Sequence, residues 1–265
     1  MTATDDSAAG GTQAPGTTLD GAPNFRDLGG LPVSGGRMAH GRIYRSEAPT
    51  CVTDSGMITL GGLGIRLVCD LRTPDERGKE PVTWADPSLW LLTAESGVDL
   101  RGDDAGEIAS VCTDETGRAA REFMMRMYAG MHSLYEELLR DLFAAVLDAD
   151  RLPLLIHCSA GKDRTGFVAS MVLWALGATY GVIEDDYLLT DRFYSADRLL
   201  GVLQQRMQPQ LPSQVVRAFC VHPDYLRECF AAIETAHGSI DAYLSRIGLD
   251  DARRRTLHKA LVELH

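Results

Sequence analysis

The sequence predicts an α/β fold in which a central, mostly parallel sheet of four or five strands is flanked by helices. Three observations carry that prediction. Short apolar runs that suit strands buried on both faces alternate with helical segments, the pattern of a parallel sheet. The stretch beyond Thr179 reads as helices alone, a helical C-terminal region. A loop of small and charged residues separates one buried strand from a following helix, where open α/β sheets bind their ligands.

In chain order, Arg42-Ile43-Tyr44-Arg45 reads as a short strand. Thr53 to Leu63 carries Met57, Leu60 and Leu63 at helical spacing, with Gly64 as the stop. Ile65 to Leu71 is a nearly continuous apolar run, and Leu89-Trp90-Leu91-Leu92 is another. Ser133 to Leu147 reads as one amphipathic helix. Pro153 to His157 is a buried strand, and Thr165 to Leu176 is an apolar helix. Pro209, Pro212, Pro223, Gly238 and Gly248 punctuate the helices that follow. Glu95 to Arg118 has seven acids against two arginines and reads as a solvated loop. Residues 1–18 lack large apolar side chains beyond Met1 and are expected to form a disordered tail. Residues 19–265 are expected to form a single domain, since no linker or repeat divides them.

The 265 residues carry 26 Lys and Arg against 37 Asp and Glu, a net charge of −11. That balance argues against broad nucleic-acid or anionic-membrane binding, so any anion site has to be built locally. No apolar run is long enough for a membrane span. The start has no basic n-region and no apolar core, so a cleaved signal peptide is not expected. Six cysteines, at 51, 69, 112, 158, 220 and 229, form no C-x-x-C pair. They suit neither a zinc cage nor a disulfide framework, and a reducing, cytoplasmic setting is the expectation. Neither a metal nor a cofactor is predicted.

The chemistry concentrates in His157-Cys158-Ser159-Ala160-Gly161-Lys162-Asp163-Arg164-Thr165-Gly166. A five-residue loop closing onto a helix start can aim its N–H groups at one point, where the helix dipole adds positive charge. Arg164 offers a planar fork that matches two phosphate oxygens. Cys158 stands beneath the same field, which favours its thiolate. A thiolate facing an anion nest is suited to attack on phosphorus. The nucleotide-binding reading G-x-x-x-x-G-K-[ST] fails, because Asp163 follows Lys162 and Ile156 replaces the first glycine.

The Cys158-to-Arg164 spacing, followed by Thr165, resembles the signature of the cysteine-dependent tyrosine phosphatases. Asn24-Phe25-Arg26-Asp27-Leu28-Gly29-Gly30, Ile43-Tyr44-Arg45-Ser46, Asp70-Leu71-Arg72 and the Gly161-to-Gly166 loop resemble the atypical bacterial protein tyrosine phosphatases. Pro223-Asp224-Tyr225-Leu226 and Gly238 to Leu244 are similar to that family's tail. The resemblance covers about residues 19–262. It implies the cysteine-phosphatase fold, hydrolysis of phosphotyrosine, and an extension to phosphoserine, phosphothreonine and phosphoinositides. Phosphorylated protein or phosphoinositide would be the partner, without membrane insertion.

The resemblance also implies roles. Cys158 would be the nucleophile of a phosphocysteine intermediate. Arg164 and the amides of Ser159, Ala160, Gly161, Lys162 and Asp163 would hold the phosphoryl oxygens. Thr165 would assist departure of the sulfur. Asp163 would be the proton donor, the alternative being an ion pair with Lys162 or a neighbouring arginine. Trp84-Ala85-Asp86 is a weaker competitor, lacking a proline and lying far upstream. Lys162 would meet a second phosphate, or simply be solvated. His157 would hold the loop or merely pack, and Asp70 and Arg72 would end a central strand beside it, in structural pairing or in catalysis. Asn24, Arg26 and Asp27 would pin the entrance loop or contact substrate, with Asp27 structural and Arg26 open. A lid is expected near 195–221, and a cationic patch around Lys162, Arg192 and Arg198 could offset the acidic charge. The competing functions are a catalytically silent phosphate-binding module and sulfurtransferase or arsenate-reductase chemistry. Some relatives are exported, so export without a cleaved signal stays open.

Overall fold

The computed structural model describes residues 18–82, 88–94, 105–194, 196–206 and 211–264. The chain opens with β1 (Arg26–Asp27), β2 (Pro32–Val33), β3 (Gly36–Met38) and β4 (Ile43–Ser46). It continues through α1 (Asp54–Gly62), β5 (Leu67–Asp70), α2 (Pro74–Lys79) and β6 (Trp90–Thr93). Then come α3 (Ala105–Thr113), α4 (Arg118–Leu134), α5 (Glu136–Val146), β7 (Leu154–His157) and α6 (Asp163–Ala175). The helical half holds α7 (Tyr180–Leu188), α8 (Thr190–Phe193), α9 (Ala196–Arg206), α10 (Ser213–Ala218), α11 (Pro223–His237), α12 (Ile240–Arg246) and α13 (Asp251–Leu261). A last strand, β8, spans Val262–Leu264.

The main sheet has the order β1-β4-β7-β5-β6. Its four longer strands are parallel and only β1 runs against them. The apolar runs alternate faces, as the pleat requires. Ile43, Leu67, Cys69, Leu154 and Ile156 face the larger core, whereas Tyr44, Val68 and Leu155 face a smaller one closed by Leu60 of α1 and Phe25. α6 is buried on nearly every side, which explains why its sequence is apolar rather than striped. The ladder sets Ser46, His157, Asp70 and Thr93 in one row at the carboxyl ends of β4, β7, β5 and β6. The reactive segment leaves the sheet from the middle of that row.

Several expectations need correction. The single helix over Ser133–Leu147 is two helices meeting at Tyr135, and the first begins at Arg118. Tyr135 leaves helical geometry (φ −101°, ψ 13°) as its buried ring packs against Phe167. The acidic stretch is not wholly a loop, because α3 occupies Ala105–Thr113; residues 95–104 lie outside the described residues. The C-terminal region is not helical throughout, since β8 pairs antiparallel with β3 in a second sheet ordered β2-β3-β8. The expected tail, except Thr18, and Trp84-Ala85-Asp86 lie outside the described residues. No described helix is long and apolar enough to cross a membrane.

Candidate active site

The loop Cys158–Lys162 joins the end of β7 to the first turn of α6. Its carbonyl oxygens are taken up by the elements around it. Ala48 N–H donates to Ser159 O (3.2 Å), Asn24 Nδ2 to Ala160 O (2.9 Å), Arg45 Nη2 to Gly161 O (2.9 Å), and Gly166 N–H to Lys162 O (2.8 Å). None of the described hydrogen bonds uses the N–H groups of Ser159, Ala160, Gly161 or Lys162. Tying back the carbonyls leaves those four donors for an anion, the arrangement of a nest at a helix start. Gly161 makes the turn at φ +66°; a Cβ there would lie 2.4 Å from the Ser46 carbonyl carbon, so no other residue fits without moving β4.

Cys158, 2% exposed, sits at the base of this loop. Arg164 reaches back from the first turn of α6 and is gripped by Glu76 of α2, Nη1 to Oε2 at 2.6 Å and Nη2 to Oε1 at 3.0 Å. Leu71 O accepts a further bond from Nη1, and Ser159 Oγ donates to the same carboxylate at 2.7 Å. Burial works against the guanidinium charge, but the Cys158 sulfur and Glu76 outweigh it and hold Arg164 above its ordinary value. Sequence reasoning missed Glu76. Its signal was present: Thr73-Pro74-Asp75-Glu76 forms a capping box, Glu76 N–H donating to Thr73 Oγ1 and Thr73 N–H to Glu76 Oε2. The cap fixes the carboxylate that aims the arginine.

Beneath the loop lies a second buried network. Arg26 Nε donates to Asp186 Oδ1 at 2.9 Å and Arg45 Nη1 to Asp186 Oδ2 at 2.5 Å, while Arg26 Nη1 also reaches Asn24 Oδ1 at 2.6 Å. Burial opposes ionisation of Asp186, yet the charges of Arg45 and Arg26 win and its carboxyl stays below the usual range. Burial and Arg45 together lower Arg26 to about 10, against the pull of Asp186. Two guanidiniums against one carboxylate leave a net positive charge under the loop. Arg45 lies in the Ile43-Tyr44-Arg45-Ser46 motif, but its pairing with Asp186, 141 residues away, had no local signal. Asn24 is brought to the loop, and Arg26 acts behind it through Asn24 and Asp186. Asp27 is instead bound to Gly29 N–H and Gly41 N–H, where it fixes the turns around β1.

Asp70 and Arg72 form a close pair (Nη2 to Oδ2 2.7 Å), and Arg72 also donates to Glu80 O. Asp70 Oδ1 lies 3.7 Å from His157 Nδ1. Burial lowers His157 to about 4, Arg72 and Arg164 adding to the effect and Asp70 opposing it. An unfolded histidine takes its proton near pH 6.5, so below that value the unfolded chain binds more protons than the native one. Stability is therefore expected to fall between pH 6.5 and about 4, by about 3 kcal/mol for this group. Urea midpoints across that window should lose much of their acid slope in His157→Gln; an unchanged slope would discard the assignment.

Lys162, 5% exposed, donates to Asp163 Oδ1 at 2.6 Å, and Tyr128 OH donates to the same oxygen at 2.6 Å. Thr165 Oγ1 and Ser46 Oγ are buried with no hydrogen-bond partner. From α9, Arg198 pairs with Glu47 and lies 4.9 Å above the Tyr194 ring. The expected cationic patch therefore does not form: Lys162 and Arg198 are each matched by a carboxylate, and only Arg192 of the three is exposed. No cluster of His, Cys, Asp and Glu among the described residues could hold a metal.

A model of the tyrosine phosphatase family matches residues 17–263. A Cupriavidus necator protein named for tyrosine-protein phosphatase activity is 30% identical over 230 residues, covering 85% of this chain and 81% of that protein. The triple specificity protein phosphatase PtpB of Mycobacterium tuberculosis is 31% identical over 273 residues, 88% of this chain and 94% of its own. A tyrosine-protein phosphatase of Nostoc commune is 24% identical over 209 residues, covering 76% and 67%. The match runs through both the sheet and the helical half. The chain belongs to the tyrosine phosphatase family and is a protein-tyrosine-phosphatase, a phosphoric monoester hydrolase.

Proposed function

We propose that this chain hydrolyses phosphotyrosine in two steps through a phosphocysteine on Cys158. In the first step the Cys158 thiolate attacks phosphorus, the ester P–O bond breaks, and Asp163 gives its proton to the departing oxygen. The four loop amides and Arg164 hold the non-bridging oxygens as charge redistributes. In the second step water attacks the phosphocysteine, Asp163 takes the water proton, and the S–P bond breaks. Thr165 Oγ1, buried and unpartnered, donates to the leaving sulfur. The observation that carries the reading is the tied-back loop facing an arginine already aimed by Glu76.

The depth of Cys158 favours an aryl phosphate, whose ring spans the distance that a phosphoserine side chain leaves empty. Phosphoserine and phosphothreonine are proposed as slower substrates. The phosphoinositide extension rests on Lys162, which would have to exchange Asp163 for a ring phosphate. The test is kcat/KM in EDTA for phosphotyrosine and phosphothreonine peptides and inositol phosphate headgroups. Phosphotyrosine should lead by at least about tenfold; equal values would remove the depth argument. Cytoplasmic placement, on composition, belongs to the same proposal.

The lid expected near 195–221 is proposed for α9 and α10. Leu199 is buried, and Arg198 fastens α9 to Glu47 beside the loop. Hydrogen exchange in 196–206 should slow when tungstate occupies the site. Unchanged exchange there would count against a lid.

A further inference from the structure

Two tyrosines on the buried side of Asp163 take part in no step described above. Tyr128 of α4 and Tyr187 of α7 are 0% and 1% exposed. The Tyr128 hydroxyl donates to Asp163 Oδ1 at 2.6 Å and lies 2.8 Å from the Tyr187 hydroxyl. Burial, reinforced by the charge of Asp163, holds both phenols well above their ordinary value, so both keep their hydrogens. A phenol has a single hydrogen. Tyr128 spends its own on the carboxylate, and Tyr187 is therefore the donor between the two rings. The chain runs one way, from Tyr187 to Tyr128 to Asp163.

Packing keeps that chain in place. The two rings meet edge to face at 6.2 Å, and Tyr225 of α11 backs Tyr128 at 5.4 Å. Across α6, a Cβ at Gly166 would stand 2.9 Å from Tyr187 Cδ2, so the ring occupies space that the glycine vacates. Lys162 Nζ brings a second donor to the same Oδ1 at 2.6 Å. An oxygen that already accepts two hydrogen bonds has little room for a proton of its own. No described hydrogen bond reaches Oδ2.

We propose that Tyr128 and Tyr187 are positioning residues of the reaction, their one-way chain to Oδ1 fixing the Asp163 carboxyl plane and confining its transferable proton to Oδ2. The Oδ2–H bond is then the one that breaks as the leaving oxygen is protonated. Oδ1 remains an acceptor before and after transfer, so neither tyrosine has to reorganise during the step. This inference rests on Asp163 as proton donor.

The experiment compares the whole chain with Tyr128→Phe, Tyr187→Phe, Asp163→Asn and the Tyr128→Phe/Asp163→Asn double variant. It reads kcat/KM on aryl phosphates whose leaving phenols run from strongly to weakly acidic. Asp163→Asn should cost about threefold or less on p-nitrophenyl phosphate and about a hundredfold on phenyl phosphate. Tyr128→Phe should follow the same gradient, reaching about tenfold on phenyl phosphate, and Tyr187→Phe should follow it more weakly. In the double variant the tyrosine change should cost nothing further. Removing one oxygen while keeping the ring preserves the packing, and unaltered tungstate binding would report an intact loop. Should Tyr128→Phe lose tungstate binding, Tyr187→Phe carries the comparison. A loss equal for all esters, or one that adds to Asp163→Asn, would overturn the chain and leave only packing. A flat Asp163→Asn profile would remove the proton-donor reading and this inference with it. A graded Asp163→Asn profile beside flat tyrosine variants would remove the inference alone.

Discussion

Replacing Cys158 with serine is expected to lower turnover of p-nitrophenyl phosphate by about 10⁴-fold or more, while tungstate still binds within about threefold of the parent. The two expectations separate because different parts of the loop supply them. Attack on phosphorus needs a group that is both nucleophilic and ionised near neutrality, which a serine hydroxyl is not. Holding a tetrahedral oxyanion needs the four loop N–H groups that no described hydrogen bond uses and the positive charge of Arg164, and the substitution touches none of these. Serine is smaller than cysteine, so the buried site accepts it without a clash. Turnover surviving within tenfold would remove the nucleophile. A parent enzyme without turnover in EDTA, yet with the same tungstate affinity, would instead favour the silent binding module.

Replacing Asp186 with alanine is expected to cost about 3–5 kcal/mol of unfolding free energy, the penalty for stranding a buried charge partner. Here two guanidiniums, those of Arg26 and Arg45, lose their shared carboxylate at once. Arg45 also holds Gly161 O, so the loop should loosen and kcat/KM should fall with the stability. Asp186→Asn keeps the shape and one acceptor and should cost less. Urea denaturation gives the number directly. A loss under about 1 kcal/mol would mean that water or main-chain oxygens satisfy the arginines without it.

Much of this architecture could be read from the chain because the relevant signals are local. The runs ending at Asp70 and His157 are buried on both faces and stay apolar up to their last residue, which made β5 and β7 visible, whereas β4 showed through Ile43 and Tyr44 beside the buried Arg45 and Ser46. The helix break at Tyr135 was hidden because an aromatic residue leaving a helix for the core looks, in sequence, like one more apolar position. The two-residue β1 and β2 carry too few residues for any period to show. In the site, Cys158 to Thr165 are contiguous and were legible together. Glu76 carried a cap signal that pointed to a helix start but not to what the carboxylate would grip. Tyr128 and Asp186 reach the loop only through the fold, and nothing beside them in sequence marks them; Arg45 stood in a family-like motif that gave it no role.

The pairing of β8 with β3 has a consequence for handling the protein. Removing Val262–Leu264 would uncover the amides and carbonyls of Gly36–Met38 along a margin that nothing else closes in the β2-β3-β8 order. Such a margin is a template on which another polypeptide can zip. Trimming at that end should therefore show first as self-association on storage, well before any change in catalysis.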